Sequence, residues 1–166
     1  MPLPFHKIKT ADLNLIDVPI VEEIDDYEGF DCSFLDMDAL FEKNSFLKWL
    51  NERVPYRAAI LNVKPWKHFI WHKDSYRGVT INALLSEDKS FTLFSEDVFE
   101  TSHQCNIIKL PYIKNKMFLF NAQVPHSIIN LNKPRQLFSV EFEKTIQDGF
   151  EYKDLLKIIK EEYYSQ

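Results

Sequence analysis

Residues 68–85 read HFIWHKDSYRGVTINALL, two apolar and aromatic runs on either side of a polar turn. Both runs have the length and the residue types of strands, and the turn carries His72, Lys73 and Asp74. Side chains two apart on a strand share a face, so His72 and Asp74 can reach one ion. A second imidazole from a neighbouring strand, His126, would complete a face of two histidines and one carboxylate. Such a face leaves three coordination positions open, which suits a non-haem Fe(II) that must also hold a cosubstrate and O2. Arg135, a planar fork of fixed positive charge, would grip a carboxylate with two parallel hydrogen bonds.

Outward from this stretch the same texture continues. Residues 58–63, 68–72, 79–85, 90–94, 106–110, 117–120, 127–130 and 137–142 read as strands. Short β-rich runs at nearly regular spacing, separated by charged turns, predict a mainly β sandwich or jelly roll. Helices are expected at its flanks. Phe46, Leu47, Leu50 and Val54 recur at helical spacing over 44–54, with Asn44 as the N-cap and Pro55 as the stop. Over 152–164, Leu155, Leu156, Ile159 and Tyr163 share one face. The first quarter reads as edge strand and loop. The 132–134 turn joins the last two strands and sets Arg135 near the strand that follows His126. At a rise of about 3.3 Å per residue, an offset of a few positions gives on the order of 10 Å. A small dicarboxylate and an arginine side chain span that distance.

Composition bounds the rest. The 166 residues fit one domain able to bury a core without disulfides, and 45% are hydrophobic, which excludes a disordered chain. No apolar stretch approaches the roughly 18 residues of a membrane span. The start, MPLPFH, lacks the basic and apolar regions of a secretory signal, so Cys32 and Cys105 are expected as reduced thiols in a cytoplasm. Three glycines leave no room for GxGxxG or GxxxxGK, and GxSxG and CxxC are absent too. A net charge of −5 disfavours a nucleic-acid partner. That charge is uneven: Glu22, Glu23, Asp25, Asp26, Glu28, Asp31, Asp36 and Asp38 crowd the first quarter, while Lys64, Lys67, Lys73, Arg77, Lys133 and Arg135 flank the site. The basic set reads either as a solvated surface or as a positive mouth for an anionic substrate.

The segment WHKDSYRGVTINALL (71–85) resembles the HxD segment of the Fe(II)/2-oxoglutarate-dependent dioxygenases, and most of all the HxDxxR of aspartyl/asparaginyl β-hydroxylase-like and prolyl hydroxylase-like members. MFLFNAQVPHSIINLNKPRQLFSVEF (117–142) is similar to the second half of that signature, and the likeness covers about 57–143. The resemblance implies a double-stranded β-helix (jelly roll, cupin-like). His72, Asp74 and His126 would bind Fe(II), Arg135 would hold the distal carboxylate of 2-oxoglutarate, and O2 would be the oxidant. The implied substrate is an amino-acid side chain, free or in a peptide or protein. Arg77, Asn82, Asn62, Ser139 and Trp71 are candidates for the pocket or the substrate, with Phe69, Phe118 and Phe120 as a dry lining. Arg77 could instead simply pair with Asp74. His6, His68 and His103 have no metal-ligand companions in the sequence. Two other readings stay open: a metal-dependent cupin (isomerase or lyase), and an inactive β-helix used as a binding module.

Overall fold

Alternation along the strands decides which residues enter the core and which line the interior. The computed structural model describes residues 3–27, 29–87, 90–98 and 105–165, so Glu28 and His103 lie outside the described residues. Its strands are β1 (Phe5–Lys7), β2 (Ile20–Tyr27), β3 (Phe30–Leu35), β4 (Tyr56–Val63), β5 (His68–His72), β6 (Val79–Leu84), β7 (Ser90–Phe94), β8 (Ile108–Lys109), β9 (Met117–Asn121), β10 (His126–Asn130) and β11 (Arg135–Phe142). They form two antiparallel sheets, ordered β1-β9-β6-β11-β4-β3-β2 and β5-β10-β7-β8. Sequence neighbours such as β9 and β10 fall in different sheets, and the fold is a double-stranded β-helix.

On β4 and β11 the even-numbered residues point outward. Tyr56, Ala58, Phe138, Val140 and Phe142 join Ile81 and Leu119 in the main core. Helices α1 (Met37–Lys43), α2 (Ser45–Asn51) and α3 (Tyr152–Ile158) cover that face with Leu40, Leu47, Leu50 and Leu155. Burying each such side chain contributes roughly 1.5–3 kcal/mol, enough in sum to fix the register of every strand beneath. The odd-numbered residues, among them Leu61, Val63, Arg135 and Ser139, face the interior between the sheets.

The amino-terminal quarter holds more regular structure than edge strand and loop. β2 and β3 make a hairpin, and α1 follows because the Asp36 side chain accepts the Ala39 N–H at its first turn. Asn44 sits at the start of α2 without capping it. Its amide donates to the Leu40 and Asn14 carbonyls, and its oxygen accepts the Asn14 N–H, so it closes α1 and ties down the preceding loop. Among the described residues no helix is long and apolar enough to cross a membrane.

At Gly78 the backbone passes close against the 146–150 segment. A Cβ there would lie 2.2 Å from the Phe150 carbonyl oxygen and 2.9 Å from the Ile146 side chain. Gly78→Ala must therefore move either the 74–78 loop or the 146–150 segment, and overpacking of this kind costs about 1–3 kcal/mol. The urea midpoint is expected to fall accordingly. An unchanged midpoint would show that the two segments are not in register as described.

Candidate metal centre

β5 and β10 are adjacent and antiparallel, with His72 directly opposite His126. Their ring centroids are 4.3 Å apart. Asp74 follows β5 and is anchored by its own N–H to the Ala122 carbonyl, 3.1 Å. Its Oδ1 lies 3.7 Å from His72 Nε2 and 3.4 Å from His126 Nε2. One ligand atom from each of the three residues falls within 4.8 Å of the others. These groups could hold one ion.

The surroundings fix the chemical form of each ligand. His72 Nδ1 is 2.7 Å from the Ile70 carbonyl, and His126 Nδ1 is 3.0 Å from the Val124 carbonyl. A carbonyl only accepts, so both Nδ1 atoms are donors and both Nε2 atoms are turned toward Asp74. Arg77 Nε lies 2.7 Å from Asp74 Oδ2, which occupies the second carboxylate oxygen and leaves Oδ1 for an ion. Burial alone would raise the Asp74 carboxyl. The neighbouring His126 and the Arg77 charge outweigh it and hold the group below its ordinary range, so the ligand stays anionic. The Gln123 amide donates to the carbonyls of Asp74 and Arg77, at 2.9 and 2.8 Å, and pins the turn that carries both.

The triad opens into a cavity of about 340 Å³. Arg77, Asn82, Arg135 and Ser139 line it, as do Phe69 and Phe120. Asn62, Trp71 and Phe118 do not. Asn62 sits at an even position of β4 and accepts from the Gln136 amide on the other face. Trp71 is half-buried away from the lining, and Phe118 packs with Phe94, Leu110 and Tyr112. Ser139 and Asn82 are cross-strand partners whose side chains meet through the Thr80 hydroxyl, which donates to the Val140 carbonyl.

Arg135 is 2% exposed. Its Nη2 donates to Thr92 Oγ1 at 2.9 Å, and the guanidinium lies 5.6 Å from the centre of the Tyr112 ring. The Tyr112 hydroxyl sits among Arg135, Thr92 and Asn82. Burial pushes this phenol up against the opposing pull of Arg135, so it stays a neutral O–H. Cation, phenol and hydroxyl are thus gathered behind the stretch of cavity wall that Arg135 lines, a setting suited to an anion. Thr92, Tyr112 and Gln123 carry no motif in the sequence, and only the pairing of β7 and β9 with their neighbours brings them here. Cys32 is buried and lines the cavity, Cys105 is half-buried, and both are free thiols. His6 and His68 stand apart from the triad, His6 beside Tyr164 and His68 beside Ser127.

No protein-family model matches the chain, and no curated protein matches it in sequence. Solved structures do match. An oxidoreductase of the 2OG-Fe(II) oxygenase family from Burkholderia pseudomallei is similar with a TM-score of 0.51 at 10% identity, over 77% of this chain and 72% of that one. A Pseudomonas putida prolyl-4-hydroxylase gives 0.49 at 13% identity, over 69% and 71%. A Trichoplax adhaerens prolyl hydroxylase, in complex with a peptide fragment of the hypoxia inducible factor oxygen degradation domain, gives 0.49 at 12% identity, over 69% and 62%. At such identities the first of these likenesses speaks for the fold. Fold and site together define a double-stranded β-helix with two histidines and a carboxylate gathered at a cavity that the buried Arg135 also lines.

Proposed function

We propose that the chain is a non-haem Fe(II)- and 2-oxoglutarate-dependent oxygenase that hydroxylates an amino-acid side chain, free or within a peptide or protein. Succinate and CO2 are the coproducts. One observation carries this reading: the three-ligand face and the buried Arg135 line the same cavity. A cupin isomerase or lyase has no use for a buried carboxylate clamp. The donor set fits the metal, since both imidazoles are held in the tautomer that presents Nε2 and Asp74 is held ionised.

In this reading His72, His126 and Asp74 Oδ1 bind the ion, and Arg77 and Gln123 orient Asp74. Arg135 receives the distal carboxylate of 2-oxoglutarate, with Thr92 and the protonated Tyr112 beside it as hydroxyl partners. Asn82 and Ser139 lie along the interior between the two subsites. Phe69 and Phe120 keep the cavity dry, which strengthens each of these polar contacts. Bound Fe(II), with 2-oxoglutarate and O2, supplies the oxidising power. The choice of an amino-acid side chain as substrate rests on the likeness of residues 71–85 and 117–142 to the hydroxylases.

Anaerobic titration of the apo-protein with Fe(II) and then 2-oxoglutarate tests the assignment. A weak visible charge-transfer band, saturating at one equivalent of iron, is the expected result. Folded, iron-loaded protein without that band would overturn it and leave a cupin or a binding module.

A further inference from the structure

The outer half of the cavity differs in character from the stretch that Arg135 lines. Its wall comes from the β2–β3 hairpin and from β5, where Tyr27 meets Phe30 edge to face at 5.8 Å and Phe30 meets Phe69 at a tilt, 6.1 Å between centroids. Phe34 extends this wall and carries the Arg57 guanidinium 4.4 Å above its ring. At the rim, Ile70 and Tyr76 are 72% and 63% exposed although both line the cavity. Exposed apolar side chains gathered around a concave opening mark a binding edge.

Of the cations that line this opening, Arg57 and Arg77 are paired with carboxylates, and Lys73 is exposed beside them. Arg57 pairs with Glu141 at 2.7 Å, Arg77 with Asp74 at 2.7 Å, and Lys64 with Asp31 at 4.0 Å. What lies beside the aromatic wall is negative. β2, the outer strand of the hairpin and an edge of its sheet, exposes Glu22, Glu23, Asp25 and Asp26 along its length and ends at Tyr27. Size also constrains the occupant. A volume of about 340 Å³ is near the low end for ligand sites, roughly 300–1,000 Å³, and part of it must take the diacid. The remainder admits one side chain, while the rim offers apolar surface to whatever bears that side chain.

We infer that the substrate is a peptide segment that inserts one uncharged, apolar side chain between the β2–β3 hairpin and β5, with basic residues flanking it against the acidic outer strand. This rests on the oxygenase reading of the triad and narrows it. An aspartyl or asparaginyl side chain, polar or charged, would meet chiefly aromatic rings along this wall, an unfavourable burial.

The test is anaerobic binding of three fluorescein-labelled heptapeptides to the full chain loaded with Fe(II) and 2-oxoglutarate. The first has a central leucine with two lysines on each side. The second has the same leucine between glutamates, and the third keeps the lysines around a central asparagine. The lysine–leucine peptide is expected to bind at least about tenfold more tightly than either of the others. Glu22→Lys with Glu23→Lys should erase the preference for lysine flanks, and added salt should weaken it, because both charges are exposed. Ile70→Glu, at an exposed position that folding does not depend on, should erase the preference for leucine. Equal binding of the three peptides, binding of none, or the reverse order would overturn the inference. The chelate band, recorded on the same samples, separates the two levels. A band without the peptide ranking sinks the substrate inference alone, and the ranking without a band sinks the oxygenase reading and leaves a peptide-binding cavity.

Discussion

His126→Ala is expected to abolish the Fe(II)–2-oxoglutarate band and to lower Fe(II) affinity by more than about 100-fold. The magnitude follows from the position of the residue. Losing a hydrogen-bond partner of a metal ligand already costs about 10–100-fold in affinity, and His126 would be a ligand itself. It is also the more buried of the two imidazoles, wedged against Phe94 and Phe120 with centroids 6.1 and 4.8 Å away. Water can enter the space left at exposed His72 more easily than at His126, so His72→Ala should be the milder change. Calorimetry with Fe(II) under argon, backed by circular dichroism to confirm folding, measures both. Wild-type affinity in a folded His126→Ala protein would remove the triad from consideration.

Arg135→Met is expected to leave Fe(II) binding in place and to weaken 2-oxoglutarate by about 100-fold or more. Truncating one member of a buried charge pair costs 2–5 kcal/mol, and the carboxylate of the diacid would be the other member. The thermal shift gives a readout independent of turnover. At a hundredfold excess over its Kd, 2-oxoglutarate stabilises the wild type by about 2.7 kcal/mol, and a hundredfold weaker Kd reduces this to about 0.4 kcal/mol. Arg135→Lys should recover only part of the loss, because an ammonium is a point charge and cannot reproduce the two-pronged contact. An undiminished shift in Arg135→Met would place the diacid elsewhere in the cavity.

Local patterning made much of this architecture legible. The strands from β4 to β11 announce themselves by β-branched and aromatic runs bounded by turns, and the structure moves their ends by only a residue or two, apart from the shorter β8. The strand expected through His72 and Asp74 stops at His72, and Asp74 reaches the same point from the following turn, held by its N–H to the Ala122 carbonyl. The α1 helix escaped notice because it is seven residues long, sits in an acidic stretch and buries only Leu40 fully. Its Asp36 cap was readable, but a cap without a long apolar period is weak evidence of a helix. Asn44 does stand at the N-cap position of α2, but its side chain ties α1 to the loop at Asn14 rather than capping the helix, a contact that sequence distance conceals.

The sequence by itself determined the strand order along the chain, the apolar period of the flanking helices and the residue types that meet at the metal centre. All of these depend on neighbours a few positions apart. The tertiary structure alone decided which face of each strand is interior, and so admitted Ser139 and Asn82 to the cavity while excluding Asn62 and Trp71. Strands buried on both faces carry apolar residues on either side, and only the pairing register tells the two faces apart. The same holds for the company of Arg135. Thr92 and Tyr112 reach it from strands and loops far along the chain, brought there by closure of two sheets around one interior.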